Sequence, residues 1–145
     1  LRTTLSGMKK YTAYDVAVQA TTVIGFGPLG TSVVARTLED FPGPPKMQSV
    51  SASLTTIYVI WYSPQPNGRI VKYVLCWNST DDDSGSCRVV WTSFVISNLK
   101  PGTTYNVTVS AFTKIGEGPA VSVEKETDKS DLDGIIPGIN STVCV

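Results

Sequence analysis

Few residues in this chain are able to do chemistry, and their spacing removes most of it. Asp81, Asp82 and Asp83 are consecutive carboxylates inside the polar stretch "NSTDDDSGS". Neighbouring residues of an extended chain point different ways, so the three do not converge on a cation as an alternating Asp-x-Asp loop with a distal Glu does. A solvated loop is the expectation. "GFGPLG" has the glycines of a phosphate-cradling loop, but it lies between two strand-like runs, where such a loop needs to lead into a helix N-terminus. The chain has no histidine, which removes the commonest general base and metal ligand. What remains does not assemble a nucleophile, a base and an orienting group. Neither catalysis nor a cofactor or metal is predicted.

Cysteines and sequon asparagines are left. Cys76 falls on a strand with its side chain opposite inward Leu75 and Trp77, and Cys87 follows a loop centred on the aspartates. If the flanking strands form a hairpin about that loop, the two cysteines come opposite each other, within the Cα separation a disulfide needs. Two free thiols are the alternative. Cys144 has no partner in the sequence; it is either the first cysteine of a following domain or part of a linker tail. Asn78, Asn106 and Asn140 each open an Asn-x-Ser/Thr sequon, where composition alone predicts about one. Strand alternation points Asn106 outwards beside inward Tyr105 and Val107, and Asn78 sits at a loop edge. Both are accessible.

The elements that position these residues read as strands. Val, Thr, Ile, Tyr and Trp are plentiful, Gly and Pro fall between short runs, and no long stretch keeps helical apolar spacing. The chain is all-β. Its 12 basic and 12 acidic residues balance, giving no electrostatic case for nucleic acid or an anionic membrane surface. No apolar run reaches the roughly 18 residues that span a bilayer. No signal-peptide pattern stands at Leu1, so the sequence reads as an internal piece of a longer chain.

One phrase occurs twice. "YDVAVQATTVIGFGP" at 14–28 returns as "YNVTVSAFTKIGEGP" at 105–119. Tyr14/Tyr105, Val16/Val107, Val18/Val109, Ala20/Ala111, Gly25/Gly116 and Pro28/Pro119 are among the identities of an ungapped alignment. A period near 90 is too long for a solenoid unit and suits a small β-sandwich. The sequence thus predicts tandem domains: 1–40 holds the last strands of a truncated copy plus a linker, 41–127 a complete domain, and 128–145 a linker or the start of a further domain. Leu99 precedes Tyr105, and Met8 precedes Tyr14, by the spacing of a tyrosine corner, in which a strand-start tyrosine hydroxyl bonds back to upstream backbone. Two residues after each tyrosine, where an immunoglobulin domain has its disulfide cysteine, stand Val16 and Val107. The immunoglobulin reading fails in both copies.

In 41–127, "EDFPGPPKMQSV" is a proline-rich opening suited to a junction and an edge strand. "TTIYVIWYSP" puts Ile57, Val59 and Trp61 on one face and Tyr58 and Ile60 on the other; cover from a loop or proline is expected over that apolar outer face. "IVKYVLCW", "CRVVW", "SFVISNL", the repeated phrase and "AVSVEKE" complete seven short strands.

With its proline-rich start, the tryptophan of the second strand (Trp61), "PNG" before a Tyr-x-Leu strand, and "NLKPGTTYNVTVSAFTKIGEGP", residues 41–127 resemble a fibronectin type III domain. The resemblance implies a sandwich of two antiparallel sheets, strands A, B and E facing C′, C, F and G. A Cys76–Cys87 bridge departs from that family, whose domains generally lack disulfides. The run Met8–Thr12, "VQA", "TLEDFPGPP" and "QPNGRIVKYVL" is similar to the membrane-side fibronectin run of the Down syndrome cell adhesion molecule family; Sidekick-type adhesion receptors and receptor tyrosine phosphatases share much of this phrasing. The resemblance implies a non-catalytic extracellular spacer and interaction module of a single-pass cell-surface adhesion receptor, anchored by a segment outside this chain. Its partners are then other protein ectodomains, homophilic or heterophilic, not nucleic acid or a small-molecule substrate. In such an ectodomain carbohydrate is expected on Asn78 and Asn106. The ectodomain of a receptor-type tyrosine phosphatase is the alternative. An intracellular scaffold of the same domains fits the sequons and paired cysteines less well, because cytosolic thiols stay reduced.

Overall fold

The computed structural model describes residues 1–65, 67–82 and 84–130. Twelve strands follow in order: β1 (Ala13–Val16), β2 (Gln19–Thr22), β3 (Gly25–Leu29), β4 (Val33–Arg36), β5 (Lys46–Ala52), β6 (Ile57–Tyr62), β7 (Lys72–Ser79), β8 (Gly85–Val90), β9 (Ser93–Ile96), β10 (Thr104–Thr113), β11 (Gly116–Glu117) and β12 (Val121–Glu126). Every pairing is antiparallel.

From β5 onwards the strands form two sheets. One has the order β5-β6-β9; the other has β11-β10-β7-β8, with β12 also beside β10. Period-two alternation explains the faces. Ile57, Val59 and Trp61 of β6, Tyr73 and Leu75 of β7, and Tyr105, Val107, Val109 and Ala111 of β10 turn inwards and form the core with Ile96 and Leu99. Full burial of such a side chain stabilises by roughly 1.5–3 kcal/mol. The Trp61 and Tyr73 rings meet edge to face at 5.8 Å. The strand count differs slightly from the sequence expectation of seven, because the two-residue β11 precedes β12.

The β7–β8 hairpin is tighter than the sequence suggests. Its ladder runs to Asn78↔Gly85, so both ends of the expected polar loop, Asn78, Ser79, Gly85 and Ser86, are strand. Gly85 permits this: a Cβ there would lie 3.1 Å from the Trp77 carbonyl oxygen and 3.2 Å from Asn78 Cβ. The outer face of β6 also departs from expectation. Tyr58 remains 40% exposed and Ile60 is half-buried, so the cover over this face is partial.

Residues 1–37 build two small ribbons, β1 with β4 and β2 with β3. Their positive-φ positions repeat those of the second unit at an offset of 91. The positive-φ residues of the second unit are Asn98 (60°), Gly102 (60°) and Gly116 (151°); those of the first are Gly7 (74°), Tyr11 (46°) and Gly25 (145°). Tyr11 thus holds a left-handed conformation where the second copy has glycine, at a cost of about 1–2 kcal/mol. It retains the fold at that point through Tyr11 N–H to the Leu38 carbonyl at 3.0 Å and the Arg36 guanidinium 4.9 Å from its ring centroid.

The linker lies against the second unit. Asp40 N–H donates to the Asn67 carbonyl at 2.8 Å, Asn67 Nδ2 to the Phe41 carbonyl at 3.2 Å, and Thr113 Oγ1 to the Asp40 carbonyl at 3.0 Å. Gly118 makes this approach available, since a Cβ there would strike the Pro42 carbonyl oxygen. Across the junction Lys10 pairs with Asp40 at 3.1 Å and Lys114 with Glu39 at 3.4 Å.

Candidate functional site

Both tyrosines named from sequence close corners of the same geometry. Tyr105 Oη accepts from the Lys100 backbone N–H at 2.9 Å, and Tyr14 Oη from the Lys9 backbone N–H at 2.9 Å. Leu99, in the turn before Tyr105, is buried, its N–H bonded to the Thr55 carbonyl at 3.0 Å. A threonine that sequence reasoning missed completes each corner. Thr127 Oγ1 accepts from Thr103 N–H at 3.0 Å and donates to the Lys100 carbonyl at 2.6 Å. Thr37 does the same in the first unit, accepting from Thr12 N–H at 2.9 Å and donating to the Lys9 carbonyl at 2.7 Å. The signal was present as a threonine ending each final strand, but threonine is common there and its partner lies 24 residues upstream.

Trp61 is fully buried, with its Nε1–H lacking a partner among the described residues. Cys76 and Cys87 are register partners on β7 and β8, with Cα atoms 4.1 Å apart and their sulfurs joined as a disulfide. The bond lies on the outer face of its sheet. Asn78 and Asn106 are also register partners, on β7 and β10, with Glu124 on the far side of Asn106. Both are half-buried among these neighbours. The sequence identified each asparagine but not their adjacency, which depends on register. Asn140 and Cys144 lie outside the described residues, as does Asp83.

The aspartate loop is tied to the corner. Asp82 accepts from Lys100 Nζ at 2.8 Å and from Ser84 Oγ. The lysine bond, then the serine bond, hold its carboxyl below the ordinary 3.8, and Asp82 in turn raises Lys100 above 10.5. At the junction Asp40 is lowered likewise, first by the Lys10 hydrogen bond and then by Phe41 N–H. Among the described residues no group of three or more His, Cys, Asp or Glu is arranged to hold a metal ion, and no helix is long and apolar enough to cross a membrane. The arrangement positions surfaces and disposes of strand-end hydrogen bonds; among the described residues it brings no nucleophile and base together.

Comparison with known proteins places these features. The chain is 37% identical over 147 residues to receptor-type tyrosine-protein phosphatase F of Mus musculus, covering 92% of the chain and 8% of that protein. It is 32% identical over 148 residues to cell adhesion molecule DSCAM of Gallus gallus, covering 95% and 7%. Neogenin of Rattus norvegicus is 33% identical over 153 residues, covering 98% and 11%. The chain therefore spans only a small part of each of these relatives. Among solved structures, domains d3-d4 of the rat CD45 extracellular region share the fold, with a TM-score of 0.68 at 23% identity over 88% of this chain and 70% of that one. The chicken CNTN1 FN1-FN3 domains match with a TM-score of 0.56 at 29% identity, covering 84% and 43%. The model of the fibronectin type III domain matches residues 42–127. Two facing antiparallel sheets closed by a tyrosine corner, together with that match, make the chain a member of the fibronectin type III family.

Proposed function

We propose that this chain is a non-catalytic spacer and interaction module in the extracellular part of a single-pass adhesion receptor, its membrane segment lying outside the chain. Residues 1–40, 41–127 and 128–145 serve as the last strands of one unit with its linker, a complete unit, and a following connection. Its partners are other protein ectodomains. The observation carrying this reading is the linker, whose backbone is bonded to Asn67 and Thr113 and lies against Gly118. Such a linker sets the angle between units, which is what a spacer must do. The Cys76–Cys87 disulfide supports an oxidising compartment, and Asn78 and Asn106 are proposed carbohydrate sites. Asn140 is a third, by its sequon alone.

Backbone ¹⁵N relaxation of residues 39–45 tests the reading. Order parameters near 0.85, those of rigid backbone, are expected, and values below about 0.6 would remove the spacer argument. Gly118→Val should release the linker and lower them. Glycosidase treatment of the secreted protein should increase its mobility on a gel; unchanged mobility counts against carbohydrate.

A second reading, the ectodomain of a receptor-type tyrosine phosphatase, is favoured by the higher identity to that relative. Sequencing the parent transcript separates the two. A Cys-x5-Arg phosphatase domain downstream selects the enzyme's ectodomain, and a short non-catalytic tail selects the adhesion receptor.

A further inference from the structure

The outer strand β8 has a free edge with unusual properties. Among the described residues it ends its sheet, with β7 alone beside it. Cys76 and Cys87 have Cα atoms 4.1 Å apart, the close spacing of a non-hydrogen-bonded antiparallel pair. The neighbouring rung, Ser79 N–H to the Ser84 carbonyl at 3.4 Å, falls in the alternate position. Gly85, Cys87 and Val89 therefore direct their backbone N–H and C=O groups away from β7. Arg88 Nη1 reaches the Cys87 carbonyl at 3.0 Å, as that direction requires.

Exposed edges are normally blunted by prolines, charges, bulges or short length. β5 follows Pro44 and Pro45 and carries a register shift between Met47 and Ser49. β9 has 4 residues. β12 carries Glu124, Lys125 and Glu126. β8 has 6 residues and a single charge, Arg88.

An apolar anchor stands at the end of this edge. Trp91 is 79% exposed and Val89 67%. With Val71 and Lys72 they border a cavity of about 130 Å³, and Trp91 continues into a cleft of about 580 Å³ that includes Tyr11, Arg69 and Lys114. Tryptophan is the residue most enriched at the centres of protein interfaces. The charges around it are unbalanced. Arg69 and Lys72 border the two clefts; Lys114 and Glu39 offset each other as an ion pair, which leaves Arg69 and Lys72 against Glu117, the register partner of Phe112. Lys72 lies over the Phe112 ring at 4.5 Å. The proposed carbohydrate on Asn78 stands opposite Gly85, about 20 Å along β7 from Lys72, six residues at about 3.3 Å each, so the accessible edge runs from Cys87 to Trp91.

We infer that β8 with Trp91 is a docking edge for an extended, acidic segment of a partner protein, which adds as a strand against Cys87 and Val89 and covers Trp91. Main-chain bonds supply the affinity and alternate side chains the selectivity. The partner's carboxylates meet Arg69 and Lys72, which border the Trp91 clefts, and Arg88 leaves the Cys87 carbonyl to a backbone N–H. This inference stands on the edge itself and is independent of which receptor the chain comes from.

The test uses the whole chain and a capped heptapeptide of alternating Glu and Val, with a Lys–Val peptide as control, followed by amide resonances. Saturable shifts at Cys87, Val89 and the Trp91 indole are expected, with the Lys peptide at least about tenfold weaker. Val89→Pro removes an outward donor but no β7–β8 bond, and edge strands tolerate proline. It should weaken binding by about fivefold or more while the core resonances of Val107 and Val109 stay in place. Trp91→Ala, a surface change, should do the same without touching the backbone. Absence of saturable shifts at β8, equal affinity for both peptides, or no effect of either variant overturns the inference. So does a concentration-dependent dimer that Val89→Pro dissolves and the acidic peptide does not, since a second copy would then be the occupant.

Discussion

The Tyr105 hydroxyl and the Thr127 hydroxyl satisfy three backbone groups of one turn: Lys100 N–H, Thr103 N–H and the Lys100 carbonyl. These groups sit where the chain crosses between sheets, so no ladder is available to pair them. Tyr105→Phe keeps the ring in the core but leaves Lys100 N–H without its acceptor. A loss of about 1–2 kcal/mol is expected in urea unfolding, and an unchanged midpoint would show that water replaces the hydroxyl without cost. The ion pair beside this turn makes a different prediction. The lowered carboxyls of Asp82 and Asp40 contribute stability above the ordinary 3.8, lost as pH falls through their folded-state values. The raised Lys100 contributes stability below 10.5, lost as pH rises through its folded-state value. With no histidine, no step from that residue type falls between these limits. Unfolding midpoints should therefore decline below about pH 4. Lys100→Met, which deprives Asp82 of its partner, should make that acid decline shallower. An acid limb of unchanged slope would mean that solvent screens the pair completely.

Strand pairing decides what the disulfide does. Cys76 and Cys87 are separated by 11 residues, and closing such a loop in the unfolded chain stabilises by nearly 3 kcal/mol in the entropic account. Replacing both with serine should lower stability by about 2–3 kcal/mol and speed exchange at Gly85–Val90, because β8 is held by β7 alone. Denaturation at equal midpoints in the two proteins would place the bridge outside the stability of the fold. Elements of this kind were partly legible in the sequence. Ile57, Val59 and Trp61 declare their face by alternation, and the repeated Tyr-x-Val-x-Val phrase declares the strand and the turn after it. Register was not legible, so the Asn78–Asn106 adjacency and the extension of the hairpin to Gly85 were missed. Nor was the linker contact: the freedom of Gly118 to approach Pro42 depends on two segments distant in sequence, and a glycine alone does not announce what comes near it. The continuous β10 has its first-unit counterpart split into β1 and β2. The phrase keeps the same Tyr-x-Val-x-Val-x-Ala alternation in both copies; β10 lies against β7, and β1 and β2 have no such neighbour among the described residues.

At the scale of the whole chain this difference becomes one of stability. Val109 is fully buried, and its counterpart Val18 is 75% exposed, although both belong to the same phrase and the same corner. β10 is paired on both sides over most of its length, whereas β1–β4 form two-stranded ribbons, which are marginal in water by themselves. Amides of β6, β7 and β10 should thus exchange only by global unfolding, and those of β1–β4 by local opening. A difference of about a thousandfold in protection corresponds to about 4 kcal/mol and is the expected order. The tyrosine and threonine bonds of the first corner act against this, so Lys9 and Thr12 amides should be the slowest of the first unit. Hydrogen exchange at two protein concentrations reads both effects. Equal protection of the two units would contradict the expectation. If that protection disappears on dilution, the apolar faces of β1–β4 are covered by another copy; if it persists, the two ribbons hold their structure with Val18 open to water, and burial is not what stabilises them.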